Sequence, residues 1–106
     1  MRQQFLKKNI TVHTLAKDIH TNARYLSNVI NTYKEKSFVN YINDLRISFA
    51  LQKLNTDSEW RNYKIKAIGE EIGFKNVESF NKAFSKKTGI YPSYFINQLN
   101  KQNTKN

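Results

Sequence analysis

The chain has 106 residues, 18 Lys+Arg against 8 Asp+Glu for a formal net charge of +10, and no cysteine. That length fits one small domain with a thin core, and the lack of thiols excludes a disulfide framework, a thiolate metal site and a cysteine nucleophile. No apolar stretch approaches the ~20 residues needed to span a bilayer. The opening MRQQFLKKNI is also too polar for a secretory signal. The expected location is therefore the cytoplasm, for the whole protein or for the cytoplasmic part of a longer, membrane-anchored one. A basic chain of this size attracts polyanions, because neutralising phosphates releases condensed counterions. Nucleic acid and anionic membrane are the two candidates.

The only proline is Pro92 and the three glycines are Gly69, Gly73 and Gly89. With so few breakers, and apolar residues three and four apart, the pattern predicts an all-α fold of about seven helices. They are expected over 1–8, 13–20, 23–34, 37–55, 64–73, 77–87 and 92–100. Asn22, Ser37 and Asn76 stand where N-caps belong, and Pro92 suits the first turn of the last helix. Trp60 and Tyr63, in a loop over 57–64, are expected to pack on the long central helix. The polar tail 101–106 is expected to fray.

The chain also matches itself. Leu15, Ala16 and Ile19 fall on Ile68, Gly69 and Ile72 at an offset of 53 residues. Asn22, Leu26 and Ile30 fall on Asn76, Phe80 and Phe84 at an offset of 54, and YINDL at 41–45 lies over FINQL at 95–99. One duplicated unit accounts for all of this: a short helix, a tight turn and a second amphipathic helix, with one extra residue in the second turn. Ala16 and Gly69 are small, as a close helix crossing requires. The apolar stripes expected to form core are Leu26, Val29, Ile30 and Tyr33 in the first unit. In the second they are Val77 at the edge, Phe80, Ala83, Phe84 and the aliphatic stem of Lys87.

The opposite faces are polar and share one geometry. Arg24, Ser27, Asn28 and Asn31 in the first unit, and Glu78, Asn81, Lys82 and Ser85 in the second, all follow i, i+3, i+4, i+7. Arg and Lys read guanine, Asn reads adenine and Glu reads cytosine in a major groove, and recognition helices meet bases near their N-termini. A single polar face is ordinary on any surface helix; the same geometry twice at one offset points to duplex DNA.

Catalytic chemistry lacks its parts. His13 and His20 have no second ligand set at metal spacing, the adjacent Glu70 and Glu71 point in different directions on a helix, and there is no glycine-rich phosphate loop. No cofactor and no metal are expected.

The stretch IKAIGEEIGFKNVESFNKAFSKKTGIYPSYF at 65–95 resembles the signature segment of the AraC/XylS family of bacterial transcription regulators. It carries the IxxxIGF turn, the Ser79, Phe80 and Phe84 spacing, and Gly89-x-x-Pro92. LAKDIHTNARYLSNVI at 15–30 is similar to that family's first helix-turn-helix. The resemblance covers about residues 3–99. It implies a first helix-turn-helix over about 13–34, a linker helix over about 37–55 and a second helix-turn-helix over about 65–87.

It further implies base contacts from Arg24, Ser27 and Asn28, and from Val77, Glu78, Asn81 and Lys82; the shared polar face adds Asn31. Phosphates would be held by Lys17, Asn22, Lys75, Asn76, Lys86 and Lys87. The implied partners are double-stranded DNA, with RNA polymerase as a further candidate, and a sensor domain in an intact protein of which this chain is the C-terminal part. No direct membrane contact is expected of this segment. His20 stands where many members carry glycine, Tyr91 replaces the usual threonine, and Phe95 stands where arginine is common. The first unit, with Arg24, Ser27 and Asn28, is expected to do most of the polar base reading. The competing expectation is a helical adaptor that binds an acidic partner protein, favoured by Glu78, which repels phosphate. Single-stranded RNA is disfavoured because the aromatics are expected in core stripes.

Overall fold

A computed structural model of the chain describes residues 4–103. Among these residues there are seven α-helices, a 3-10 turn and no strand. The 3-10 turn is Gln4–Leu6, followed by α1 (Val12–Asp18), α2 (Ala23–Lys34), α3 (Phe38–Thr56), α4 (Ser58–Arg61), α5 (Ile65–Glu71), α6 (Val77–Thr88) and α7 (Pro92–Asn103).

Local chemistry explains most of the helix starts. The Asn22 side chain accepts from the Tyr25 amide at 2.8 Å, and Asn76 does the same for the Ser79 amide at 2.8 Å. Ser37 accepts from the Asn40 amide at 3.2 Å and opens α3. Each satisfies one donor that a helix start leaves orphaned. Thr11 and Thr14 close a reciprocal capping box on α1, with the Thr11 amide donating to Thr14 Oγ1 at 2.9 Å and the Thr14 amide to Thr11 Oγ1 at 3.1 Å.

Several expectations need correction. The helix expected over 1–8 is only the turn Gln4–Leu6 within the described residues, and positions 1–3 lie outside them. The carbonyls of Phe5 and Lys7 accept instead from the Arg46 guanidinium, at 2.5 and 2.8 Å. The stretch 57–64 is not all loop: Asp57 caps the short helix α4 by accepting from the Glu59 amide at 3.0 Å. The last helix, expected to end at 100, runs on to Asn103; 104–106 lie outside the described residues.

Two apolar cores are formed. The larger gathers Ile47, Ala50 and Leu54 of α3 with Trp60, Ile68, Ile72, Phe74, Phe80, Phe84 and Ile96. Its aromatic rings meet edge-on or tilted, with centroids 5.7 Å apart for Phe74–Phe80 and Phe84–Phe95, which adds to plain burial. Trp60 packs on Phe49 of α3 as expected, and Tyr63 stacks on Trp60. The smaller core holds only Leu15, Ala16, Leu26 and Ile30, with Phe38 and Tyr41 of α3 at its side. Helix α3 thus serves the first unit with its N-terminal half and the second with its C-terminal half. One stripe assignment fails: Tyr33 is 78% exposed rather than core.

Arg46 ties the units together. It is buried, donates to Phe5 and Lys7, and lies over the Phe74 ring at 5.3 Å. Burial lowers its pKa, although a guanidinium keeps its proton in proteins. The result is elongated, 51 Å along one axis against 24 and 22 Å across.

Candidate nucleic-acid interface

The two turns that aim α2 and α6 are built alike. The His20 amide donates to the Lys17 carbonyl at 3.2 Å, and the Thr21 amide to the Ala16 carbonyl at 2.8 Å. At the same offset, the Gly73 amide donates to Glu70 at 3.1 Å and the Phe74 amide to Gly69 at 2.9 Å. Both turns need a left-handed residue, His20 with φ 62° and Gly73 with φ 100°. The second turn has one more residue between its helices, as the offset change predicts. After each second helix the chain turns left-handed again, at Glu35 (φ 54°) and Gly89 (φ 84°). The first unit therefore holds side-chain-bearing residues in both places where the second has glycine.

Helix crossing is equally specific. A Cβ at Gly69 would lie 3.0 Å from both Cβ and Cγ of Phe80. The first unit has Ala16 against the slimmer Leu26, so a methyl fits there. Burying these residues leaves the opposite faces of α2 and α6 outward.

On α2, Arg24, Asn28 and Asn31 are exposed and Ser27 is half-buried. On α6, Glu78 and Lys82 are exposed, while Val77 and Asn81 are half-buried. The residues expected at phosphates, Lys17, Asn22, Lys75, Asn76, Lys86 and Lys87, are all exposed. Asn22 and Asn76 already use a side-chain oxygen as cap, which leaves their amide NH2 groups to face outward. Among the described residues none of Arg24, Lys17, Lys75, Lys82, Lys86 or Lys87 forms an ion pair, so their charge is available to an anion.

Packing of α3 beside α6 adds residues that the sequence did not single out. An open groove of about 600 Å³ is lined by Lys82, Lys86 and Lys87 of α6 and by Lys36, Asn40 and Asn43 from the α3 side. Lys36 is ion-paired with Asp44 on the α3 side of the same groove. No sequence signal marks Lys36 or Asn40, because their place beside Lys82 depends on where α3 lies against α6. Among the described residues no helix is long and apolar enough to cross a membrane, and no cluster of His, Asp or Glu could hold a metal ion.

The family model described as a helix-turn-helix domain matches residues 15–98. The chain is 34% identical over 94 residues to an uncharacterized HTH-type transcriptional regulator, YobQ, of Bacillus subtilis, covering 89% of this chain and 37% of that protein. Across the curated relatives it spans 37%, 32% and 11% of their lengths. Its fold is similar to the DNA-binding domain of AdpA, solved in complex with a target DNA, with a TM-score of 0.79 at 15% identity over 98% of this chain and 90% of that one. It is also similar to a transcriptional regulator with an AraC-type DNA-binding domain from Chromobacterium violaceum, with a TM-score of 0.76 at 21% identity over 92% and 83% of the two chains. Two capped recognition-type helices, two matching turns and the extent of these likenesses lead to one assignment: the chain belongs to the helix-turn-helix domain family, and its fold is similar to that of AraC-type DNA-binding domains.

Proposed function

We propose that this domain reads duplex DNA by sequence, with α2 and α6 as recognition helices in successive major-groove turns on one face of the duplex. The observation that carries the reading is the repetition of one outward polar face, behind one cap and one turn geometry, in both units of a molecule 51 Å long. Successive turns of a groove are about 34 Å apart, and the 19 residues of α3 span about 28 Å at ~1.5 Å per residue. The dimensions are compatible.

In this reading Arg24 addresses guanine, Asn28 and Asn31 address adenine, and Ser27 hydrogen-bonds either base edge. On α6, Lys82 addresses guanine, Glu78 cytosine and Asn81 adenine, and Val77 offers an apolar contact to a thymine methyl. Lys17, Lys75, Lys86 and Lys87, with the amides behind Asn22 and Asn76, grip phosphates. The first unit does most of the polar reading. The second has a narrower choice of bases, because Glu78 repels the backbone on either side of its target.

The domain works as the C-terminal part of a longer, sensor-linked cytoplasmic regulator. This is supported by the small share of each curated relative that it spans. It binds DNA without catalysing a reaction, and RNA polymerase is a candidate second contact. Selecting bound sequences from a random duplex pool tests the reading. Two short enriched blocks about one helical turn apart, ~10 base pairs, are expected. One block would mean that a single unit reads bases. No binding at low salt would favour the adaptor that engages an acidic protein.

A further inference from the structure

The cleft between the two units carries charges that the internal repeat does not account for. On α6, Ser79, Lys82, Ala83 and Lys86 follow i, i+3, i+4, i+7 and form a stripe beside the base-reading face, with Lys82 common to both. This stripe and the N-terminal half of α3 wall the open groove of about 600 Å³. At the 54-residue offset the first unit has Tyr25, Asn28, Val29 and Thr32, none of them charged. The basic wall is therefore no by-product of duplication. A second groove of about 350 Å³ adjoins the first, sharing Asn43 and Ser79 with it and adding Lys8 and Lys75. Arg46 Nη1 donates to Asn43 Oδ1 at 3.4 Å, which leaves the Asn43 NH2 donors for a ligand.

Asp44 is the one acid that lines either groove. It holds Lys36 in an ion pair, whereas Lys8, Lys75, Lys82, Lys86 and Lys87 have none among the described residues. The Lys36 and Asp44 side chains are 45% and 32% exposed, and pairs this open to water hold weakly, so a phosphate oxygen can compete for the ammonium. In the overlay of YINDL on FINQL, Asp44 falls on Gln98, so the repeat folds without an acid at this register. Successive major-groove turns on one face of a duplex are separated by a minor groove and its flanking phosphate strands. Backbone must then lie between α2 and α6, where the cleft opens between α6 and the start of α3. We propose, resting on the duplex-reading function above, that the α3–α6 cleft seats this backbone, with Lys36, Asn40 and Asn43 as donors beside Lys82 and Lys86, and that Asp44 restrains the grip by holding Lys36. One carboxylate thus sets the level of sequence-independent affinity.

The test titrates the full chain, at several salt concentrations, against a duplex selected from the random pool and an unrelated duplex of equal length. Asp44→Asn is expected to tighten both by about three- to tenfold at low salt and to steepen the salt slope by about one unit, as one further phosphate is engaged. Glu59→Gln makes the same change of net charge on α4, outside both grooves, and should shift affinity by no more than about twofold. In a Lys36→Ala background Asp44→Asn should lose most of its gain. Neutral methylphosphonates between the two enriched blocks should abolish that gain, and the same linkages outside the blocks should not. Equal effects of Asp44→Asn and Glu59→Gln, or a gain that survives Lys36→Ala or the central neutral linkages, would overturn the proposal and leave duplex reading intact. No binding of any variant to either duplex at low salt would remove duplex reading and the proposal together. Binding of an oligoglutamate peptide in that case would give the cleft to an acidic protein.

Discussion

Arg46 Nε donates to the carbonyl of Phe5 at 2.5 Å, across 41 residues of sequence, and so holds the entry of the chain against the middle of its longest helix. The same guanidinium donates to Lys7 and covers the Phe74 ring beside the second turn. One buried side chain therefore joins the start of the domain, its linker helix and its second helix-turn-helix.

Arg46→Met keeps much of the stem volume and removes the donors. The Phe5 and Lys7 carbonyls lose a charged partner, at a cost of about 1–3 kcal/mol for hydrogen bonds to a charged group. Urea unfolding should show a lower midpoint. An unchanged midpoint would mean that water replaces Arg46 without loss.

The left-handed positions of the first unit make an opposite prediction. His20 and Glu35 adopt φ 62° and 54° with a Cβ, where Gly73 and Gly89 adopt φ 100° and 84° without one. His20→Gly and Glu35→Gly remove strain but add freedom to the unfolded chain, for a net gain of about 0.5–1 kcal/mol each. Gly89→Ala, which meets no neighbour within 4 Å, should cost about 1 kcal/mol from backbone strain alone. Thermal melts of the three variants check the signs.

Gly69→Ala should be worse than its mirror image. The new methyl would press on Phe80 at 3.0 Å, and overpacking of this kind costs about 1–3 kcal/mol. Ala16→Gly leaves a smaller gap against Leu26 and should cost about 1 kcal/mol, mostly helix propensity. Comparing the two in denaturant tests whether the crossing distance differs between the units.

Arg24→Ala and Lys86→Ala separate base reading from phosphate grip. The first should cost about 1–3 kcal/mol and relax preference at one base pair. The second should weaken all sequences alike and lower the salt slope by about one unit. Titrations against matched and mutated duplexes at several salt concentrations distinguish them. An even effect of Arg24→Ala across sequences would remove it from the base readers.

Much of this arrangement was legible beforehand because it is local. Asn22, Ser37 and Asn76 act on amides three residues away, and their caps appear where the residue types predict them. The polar faces of α2 and α6 follow from helical period alone. Thr11 and Asp57 cap by the same chemistry but passed unnoticed, since α1 and α4 are too short to show a strong period.

The misreadings share a cause. Tyr33 lies on the apolar stripe of α2, yet a stripe says which side is apolar and not what covers it. Residues 1–8 have a helix-compatible pattern, but Arg46 takes two of the carbonyls that a helix there would use.

The sequence by itself determined the helices, their caps, the duplicated unit and the two outward faces, because each rests on contacts within a turn or on repetition at a constant offset. Only the tertiary structure decided that α3 divides its halves between two cores, that Lys36 and Asn40 join Lys82 in one groove, and that Ile19 stays exposed where Ile72 is sealed. Those depend on which distant surfaces meet, and burial is decided by the partner as much as by the residue.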